Sequence, residues 1–559
     1  MTWSLINSRS DEATKIRWEL IPYFHGRVLD LGCGGYKTFP HFIGVDNGKQ
    51  WGKATADILV ESAEKLDLFA SQSCDTVFSS HLLEHIDNYK AALREWWRVI
   101  KQGGHLVMYL PHKDLYPNCD KKQEWEEWYY AHSEDGYTNE AAVEAFVDTR
   151  RKSGVTTIGA LYAGTPFGNP DHKHDYTPED IIAAMDEIGG YDLLENQVRD
   201  DEDEYSFFQV YKKTGNSRQI RHSWKEPKPE KTCAVIRYGA FGDMVQTSSI
   251  FPWLKEQGYH VTLYCSPYGK QVVEHDPHID RFIIQGKDEV PPSFLLEFWD
   301  YTKKKYEKWV NLSESVEGSL LAIPGRSDHE WPTEVREKYC DVNYMERIHE
   351  LAQVPPPFKP AFYSTLEEKA WARKTAQRWG KKNILWSLAG SSVHKVWPHL
   401  DTVIAGIMIE YPDTHVVLVG DDFSTILEKG WEKEPRVHLQ SGKWSIRESM
   451  AFAEVADLII GTETGLLNAA GHMKVPKIVT LSHSSQEMLT KHWYNVTALE
   501  QPKGIGCPKS PCRQLHYTWD YCMKHEETGT AMCQFHIGPE VMFHAIRRWL
   551  GESDYVKAA

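Results

Sequence analysis

Asp243, in the segment CAVIRYGAFGDMVQTSS, lies at the exit of a turn that Gly239 and Gly242 make possible. A carboxylate at a glycine-lined loop mouth can take a proton as a general base when its surroundings tune it, and it can equally cap the helix that follows. Lys395 stands in SLAGSSVHKVWPHL, within a Lys-x-Trp-Pro string, where a cation could neutralise a leaving diphosphate. Further on, ADLIIGTETGLLNAAGHMKVPKIVTL runs a strand into a Thr-Glu-Thr-Gly turn and a helix. The backbone N–H groups of Thr464 and Gly465 could there meet phosphate at the helix N-terminus.

A second constellation lies near the start of the chain. In RVLDLGCGGYKTF an apolar strand, Val28 to Leu31, leads directly into a glycine-rich turn, and Gly32 and Gly34 let the backbone pass close to a ligand. Asp46 ends the next strand, FIGVD, where an acid can accept hydrogen bonds from ribose hydroxyls. Next come CDTVFSSHLLEHI, a strand leading into a helix, and then Gly103-Gly104, which turns the chain into HLVMYLP. His112, His172, His174 and Asp175 follow strand ends or flank a long insertion. They are candidates for a base that removes an acceptor proton, or else they are hydrogen-bonding loop residues.

Cys507, Cys512, Cys522 and Cys533 are spaced C-x4-C-x9-C-x10-C. Four thiolates form a complete tetrahedral set for zinc or iron, and a closed set of that kind would be structural. His516, His525 or His536 could replace one sulfur, and four free or partly buried thiols is the alternative.

These residues need α/β scaffolding, and the rest of the chain supplies its pattern. Short apolar runs alternate with amphipathic stretches from residue 27 to about 212 and again from 232 to about 550, the rhythm of parallel β/α folds. The chain of 559 residues exceeds what one core supports. The expected organisation is an N-terminal domain over 1–213 and a linker over 214–230. Two lobes follow, over 231–375 and 376–559, the second containing the cysteine-rich segment 505–535. Within the first domain, residues 119–170 carry Trp125, Trp128, Tyr129 and Tyr130 without a β/α pattern, as in a lid or a self-packed insert. The net charge of −16 opposes nonspecific association with nucleic acid. No apolar run is long enough to span a bilayer, and residues 1–25 lack the order of a signal peptide, so a cytoplasmic protein is expected.

Residues 18–213 resemble the class I S-adenosylmethionine-dependent methyltransferases: LDxGCG, an acid on the next strand, FDxVxSSHxLEH, a Gly-Gly turn, and a tail matching the last helix and closing strands. The resemblance implies a Rossmann-like sheet in which Asp30, Gly32, Cys33 and Gly34 line the methionine moiety and Asp46 the ribose, with Ser62 and Ala63 beside adenine. Residues 232–545 carry RxGAxGD, then KxWP, then a DTG-like turn before an alanine-rich helix. In that order they resemble the ADP-heptose:lipopolysaccharide heptosyltransferases, inverting enzymes of the two-lobed GT-B fold.

That second resemblance makes Asp243 the base on the acceptor hydroxyl and Lys395 the diphosphate partner. Gly239, Gly242, Glu463, Thr464 and Gly465 become residues of the nucleotide-sugar (ADP-heptose-like) site. The first lobe would be the acceptor side. Glu463 stands where the family usually has Asp, Asn468 where it often has His, and Asn311 where an acid is common. The cysteine pattern resembles the cysteine-rich C-terminal segment of some heptosyltransferase-like proteins, including iron-binding ones, which implies zinc or iron.

The resulting expectation is a bifunctional enzyme acting on a glycan, protein or small-molecule acceptor, as a homo-oligomer or within a larger assembly. The alternative is a binding or structural component with weakened sites, suggested by the residues at Tyr36, Ser62, Glu463 and Asn468. Intact Asp30, Gly34, Asp46, Asp243 and Lys395 count against it, and His112 is the base assigned to the methyl-transfer half.

Overall fold

The computed structural model describes residues 12–35, 37–48, 56–113, 172–199, 206–215, 221–222, 230–286, 290, 294–313, 342–380, 382–390, 395–512 and 522–551. The insertion 119–170, with Trp125, Trp128, Tyr129 and Tyr130, lies outside them, as do Tyr36 and His516. The chain divides into two units, Met1–Lys228 and Pro229–Ala559.

In the first unit the strands are β1 (Val28–Leu31), β2 (Ile43–Asp46), β3 (Ile58–Leu59), β4 (Cys74–Ser80), β5 (Ile100–Pro111), β6 (Tyr191–Arg199), β7 (Ser206–Lys213) and β8 (Arg221–His222). They form one sheet in the order β3-β2-β1-β4-β5-β7-β6-β8. The first five are parallel, and β7 pairs antiparallel with both β5 and β6. Strand order reverses beside β1, so β1 and β4 flank a topological switch point, where open α/β sheets bind ligands at the carboxyl ends of their strands. β1 is buried throughout, as a central parallel strand must be. The helices Tyr89–Val99 and Pro178–Ile188 cover the sheet, with Trp96, Leu93 and Ile181 in the core. Within the stretch read as a linker, β8 adds to the edge of this sheet, Asp192 pairing with Arg221.

The second unit holds two all-parallel sheets. One is ordered β11-β10-β9-β12 from β9 (Thr232–Arg237), β10 (His260–Cys265), β11 (Arg281–Ile284) and β12 (Lys308–Asn311). The other is ordered β15-β14-β13-β16-β17-β18 from β13 (Lys382–Ser387), β14 (Thr414–Val419), β15 (Val437–Leu439), β16 (Leu458–Thr462), β17 (Lys477–Thr480) and β18 (Val496–Leu499). This is the expected α/β class: a Rossmann-like sheet followed by the two Rossmann-like lobes of a GT-B architecture.

The helix Leu366–Trp379 spans the position read as the lobe boundary and packs on Ile446–Ala453 of the second lobe. The lobes share a continuous apolar cluster in which Val245, Phe251 and Leu263 of the first join Val417, Leu467 and Met488 of the second. The helix Phe241–Thr247 lies against Gly465–Ala470 at this junction. The turns at Gly32–Gly34, Gly239–Asp243 and Glu463–Gly465 thus sit at the carboxyl ends of parallel strands, whereas Gly103-Gly104, read as a turn, lies inside β5 near its amino end.

Candidate functional site

In the second unit a cleft of about 440 Å³ opens between the lobes. Ala240–Asp243 and Gln246 form one wall; Ser387, Gly390, Lys395 and Glu463–Gly465 form the other. Asp243, Lys395, Gly242, Glu463, Thr464 and Gly465 therefore line one cavity, whereas Gly239 is not part of its lining. Asp243 is held from two sides: the backbone N–H of Ala240 donates to Oδ2 at 2.7 Å, and the buried Arg237 guanidinium lies 3.1 Å from Oδ1. Asp243 is thus the third residue of its helix and holds the preceding loop, while still facing the cleft. Arg237 is itself tied to the Leu312 carbonyl at 3.0 Å, and Asn311 accepts the Ser313 N–H.

Lys395 is 5% exposed, and its Nζ donates to the Glu463 carbonyl at 3.0 Å. Burial lowers its pKa from the ordinary lysine value, with Glu463 and Asp243 opposing the shift. A buried ammonium with one carbonyl partner retains donors for an anion. Thr464 caps the following helix, its Oγ1 accepting from the Leu467 N–H and lying 3.1 Å from Ser387 Oγ.

Glu463 lines the cleft, and its carboxylate also ties down a neighbouring loop. It receives the N–H groups of Ser482 and Ser484 at 3.0 Å each, and lies 3.1 Å from His483 Nε2. Burial alone would push this acid up. His483, Lys395 and the serine hydrogen bonds outweigh it and hold the carboxyl below its ordinary value. Glu463 is therefore a brace for the loop 482–484, which brings His483 to the cleft wall. Asn468 accepts from Gln246 Nε2 at 3.0 Å, a bond from lobe to lobe.

Gly242 and Gly465 are packing glycines. A Cβ on Gly465 would fall 2.7 Å from Phe241 Cβ, and one on Gly242 would fall 2.5 Å from Asn468 Nδ2. Gly239 has the same character, a Cβ there meeting Asp243 Cβ at 2.5 Å.

In the first unit Gly32 and Gly34 both have positive φ, +71° and +54°. At Gly34 an added Cβ would meet nothing within 4 Å, whereas at Gly32 it would strike Leu82. The loop therefore presents open backbone at Gly34, the fit required if a ligand is to lie against it. Asp46 at the end of β2 accepts from Gly34 N–H at 2.9 Å and Gly48 N–H at 2.8 Å. Asp30 is buried and accepts the Thr38 N–H at 2.7 Å. Ser62 Oγ accepts from Glu64 N–H, and the Ala63 carbonyl takes the Trp96 indole N–H. Burial, then Asp30 and Asp46, push the Cys33 thiol up to about 12, so it stays protonated and serves as packing.

His112 bridges to Tyr176 and packs edge-on to Phe207. His174 stacks near Tyr176, its Nε2 3.0 Å from the Asp87 carbonyl. Of the candidates, His172 is gathered with Glu84 and His85, whose ligand atoms all lie within 4.8 Å of one another. His81 Nδ1 is 3.6 Å from Glu84 Oε1. Burial, then the charges of Glu12 and Asp175, push Glu84 up to about 8. Burial also brings His172 down to about 3, with His85 and His81 adding to it. The motif SSHLLEH held the first half of this cluster; nothing in the sequence tied it to His172.

Cys507, Cys522 and Cys533 pack together with Ala531 and Met532. Burial, then Cys512 and Cys507, push the Cys522 thiol up to about 11. Among the described residues the four sulfurs are not gathered into a ligand group of the closeness seen for Glu84, His85 and His172. His525 stacks on Phe535 and His536 contacts the Met532 carbonyl, so neither joins the sulfurs.

A family model described as "Methyltransferase domain" matches residues 29–108. The lipopolysaccharide heptosyltransferase 1 of Campylobacter coli is 21% identical over 281 residues, covering 44% of this chain and 82% of that protein. Among solved structures, the ADP-heptose lipopolysaccharide heptosyltransferase II of E. coli aligns at 14% identity over 57% of this chain and 98% of that one, with a TM-score of 0.42. A SAM-dependent methyltransferase of Thermotoga maritima aligns at 14% over 36% of this chain and 90% of its own, with a TM-score of 0.24. The methyltransferase-domain match and the similarity to a lipopolysaccharide heptosyltransferase support transferase activity. The chain joins a methyltransferase domain to a unit similar to lipopolysaccharide heptosyltransferases.

Proposed function

We propose that the chain carries two activities, S-adenosylmethionine-dependent methyl transfer in the first unit and inverting transfer from an ADP-heptose-like nucleotide sugar in the second, acting together on a methylated glycan or a glycosylated protein. The observation that carries this reading is the buried Lys395 ammonium lining the same interlobe cleft as Asp243. In that cleft Asp243 accepts the proton of an acceptor hydroxyl as its oxygen bonds to the anomeric carbon. The bond to the diphosphate breaks on the opposite face, which inverts the configuration. Arg237 and the Ala240 N–H hold the two carboxylate oxygens in one orientation, the positional control that such a displacement requires. Lys395 neutralises the charge that gathers on the departing diphosphate.

In the first unit, S-adenosylmethionine supplies an electrophilic methyl group. The open backbone at Gly34 and the Asp46 carboxylate support it, Asp46 holding the loop and keeping lone pairs for ribose hydroxyls. Mass spectrometry of small molecules retained through purification tests the pairing. Adenine nucleotides and S-adenosyl compounds are expected. In assays with ADP-heptose and acceptor extracts, Asp243→Asn should lose ADP release while forming S-adenosylhomocysteine at the parental rate. Equal ADP release by the variant would remove Asp243 from the reaction.

A further inference from the structure

Glu84 sits in the short turn Leu83–His85 that follows β4, fully buried. Neither of its carboxylate oxygens receives a hydrogen bond from another residue. An unpaired buried carboxylate is costly, and folds retain one where it is neutralised or coordinates a cation. Three imidazoles stand around it: His81, whose Nδ1 is 3.6 Å from Oε1, and the pair His85 and His172, whose ligand atoms gather with those of Glu84 within 4.8 Å. His172 Nε2 is 4.0 Å from Glu84 Oε1, and the His85 and His172 rings meet edge-to-face with centroids 4.8 Å apart.

This juxtaposition is built by the fold. The N–H groups of Lys173 and His174 donate to the Glu84 carbonyl at 2.7 and 3.2 Å, and Tyr176 Oη donates to the Leu83 carbonyl at 3.2 Å. These bonds pin the segment carrying His172 onto the turn carrying Glu84 and His85. One carboxylate oxygen and two imidazole nitrogens are a ligand set for first-row divalent cations, and three protein ligands leave coordination positions for water or a further oxygen. The turn also adjoins the glycine loop, since Leu82 fills the space a Gly32 Cβ would need.

We propose that Glu84, His85 and His172 bind a divalent first-row transition-metal cation. Its ligands include none of the four cysteines, and it does not depend on which nucleotide or methyl donor the chain uses.

Cobalt(II) titration of the full chain, stripped with chelator, tests this. Cobalt on thiolates gives a sulfur-to-metal charge-transfer band, whereas cobalt on nitrogen and oxygen gives d–d absorption without it. The expected result is one equivalent of cobalt whose d–d absorption lacks the thiolate band and persists in Cys533→Ser. Its affinity should fall at least about 10-fold in both Glu84→Gln and His172→Ala, as losing one of three protein ligands predicts. Glu84→Gln preserves shape and removes a buried acid, so its thermal unfolding should remain cooperative. The proposal is overturned if the parent chain shows no thiolate-free cobalt, or if both variants bind it as tightly as the parent. Calorimetry with S-adenosylmethionine on the same samples reads the methyl-donor assignment separately.

Discussion

Gly242 of the first lobe of the second unit and Gly465 of the other lobe meet so closely that a Cβ on Gly465 would lie 3.1 Å from the Gly242 nitrogen. Neither has the positive φ that favours glycine, so what excludes a side chain here is the neighbouring helix. Gly465→Ala should therefore push the two lobes apart, lowering stability by about 1–3 kcal/mol as overpacking does and weakening nucleotide binding. Calorimetric unfolding with and without ADP measures both effects; an unchanged midpoint and affinity would show that the contact yields without strain.

Lys395 separates function from stability. Its buried ammonium has one backbone partner, so replacing it with an apolar residue removes a desolvation burden. Lys395→Met is expected to unfold at the parental temperature or above it while losing about 10- to 100-fold in ADP affinity, the range of one or two charge-assisted hydrogen bonds. A variant that bound ADP normally would take Lys395 out of the phosphate site.

Glu463 sets an acid limit on the second unit. Its carboxyl is held below the ordinary value of 4.5, so the stability it contributes is fully present above pH 4.5 and is lost as pH falls through the lower folded value. Glu463→Gln should reduce stability at pH 7 and flatten the decline below pH 4.5. Unfolding midpoints across that window check it, and a parallel decline in parent and variant would count against it.

Cys33 should be inert. With its thiol pushed up to about 12, alkylation at pH 8 is expected to leave it unmodified in the folded chain and to label it after denaturation. Peptide mass spectrometry distinguishes the two states; rapid labelling of the native protein would contradict the assigned environment.

What was legible in the sequence was local. The turns at Gly32–Gly34, Gly239–Asp243 and Glu463–Gly465 each follow an apolar strand within a few residues, so composition alone placed them at strand ends. Relations between distant segments were hidden. The brace from Glu463 to the loop 482–484, the contact between Gly242 and Gly465, and the meeting of Glu84 with His172 depend on how sheets and lobes pack. Asp243 combines both kinds of information: its helix-terminal hydrogen bond follows from spacing, but its pairing with Arg237 requires the curl of the loop that follows β9.

Two independent ligand sites are expected in the full chain. Isothermal calorimetry of the full chain should show one S-adenosylmethionine site and one ADP site, each saturating unaffected by the other. Asp46→Ala should abolish only the first and Lys395→Ala only the second. Absence of heat with both ligands, or loss of both sites in either variant, would contradict it.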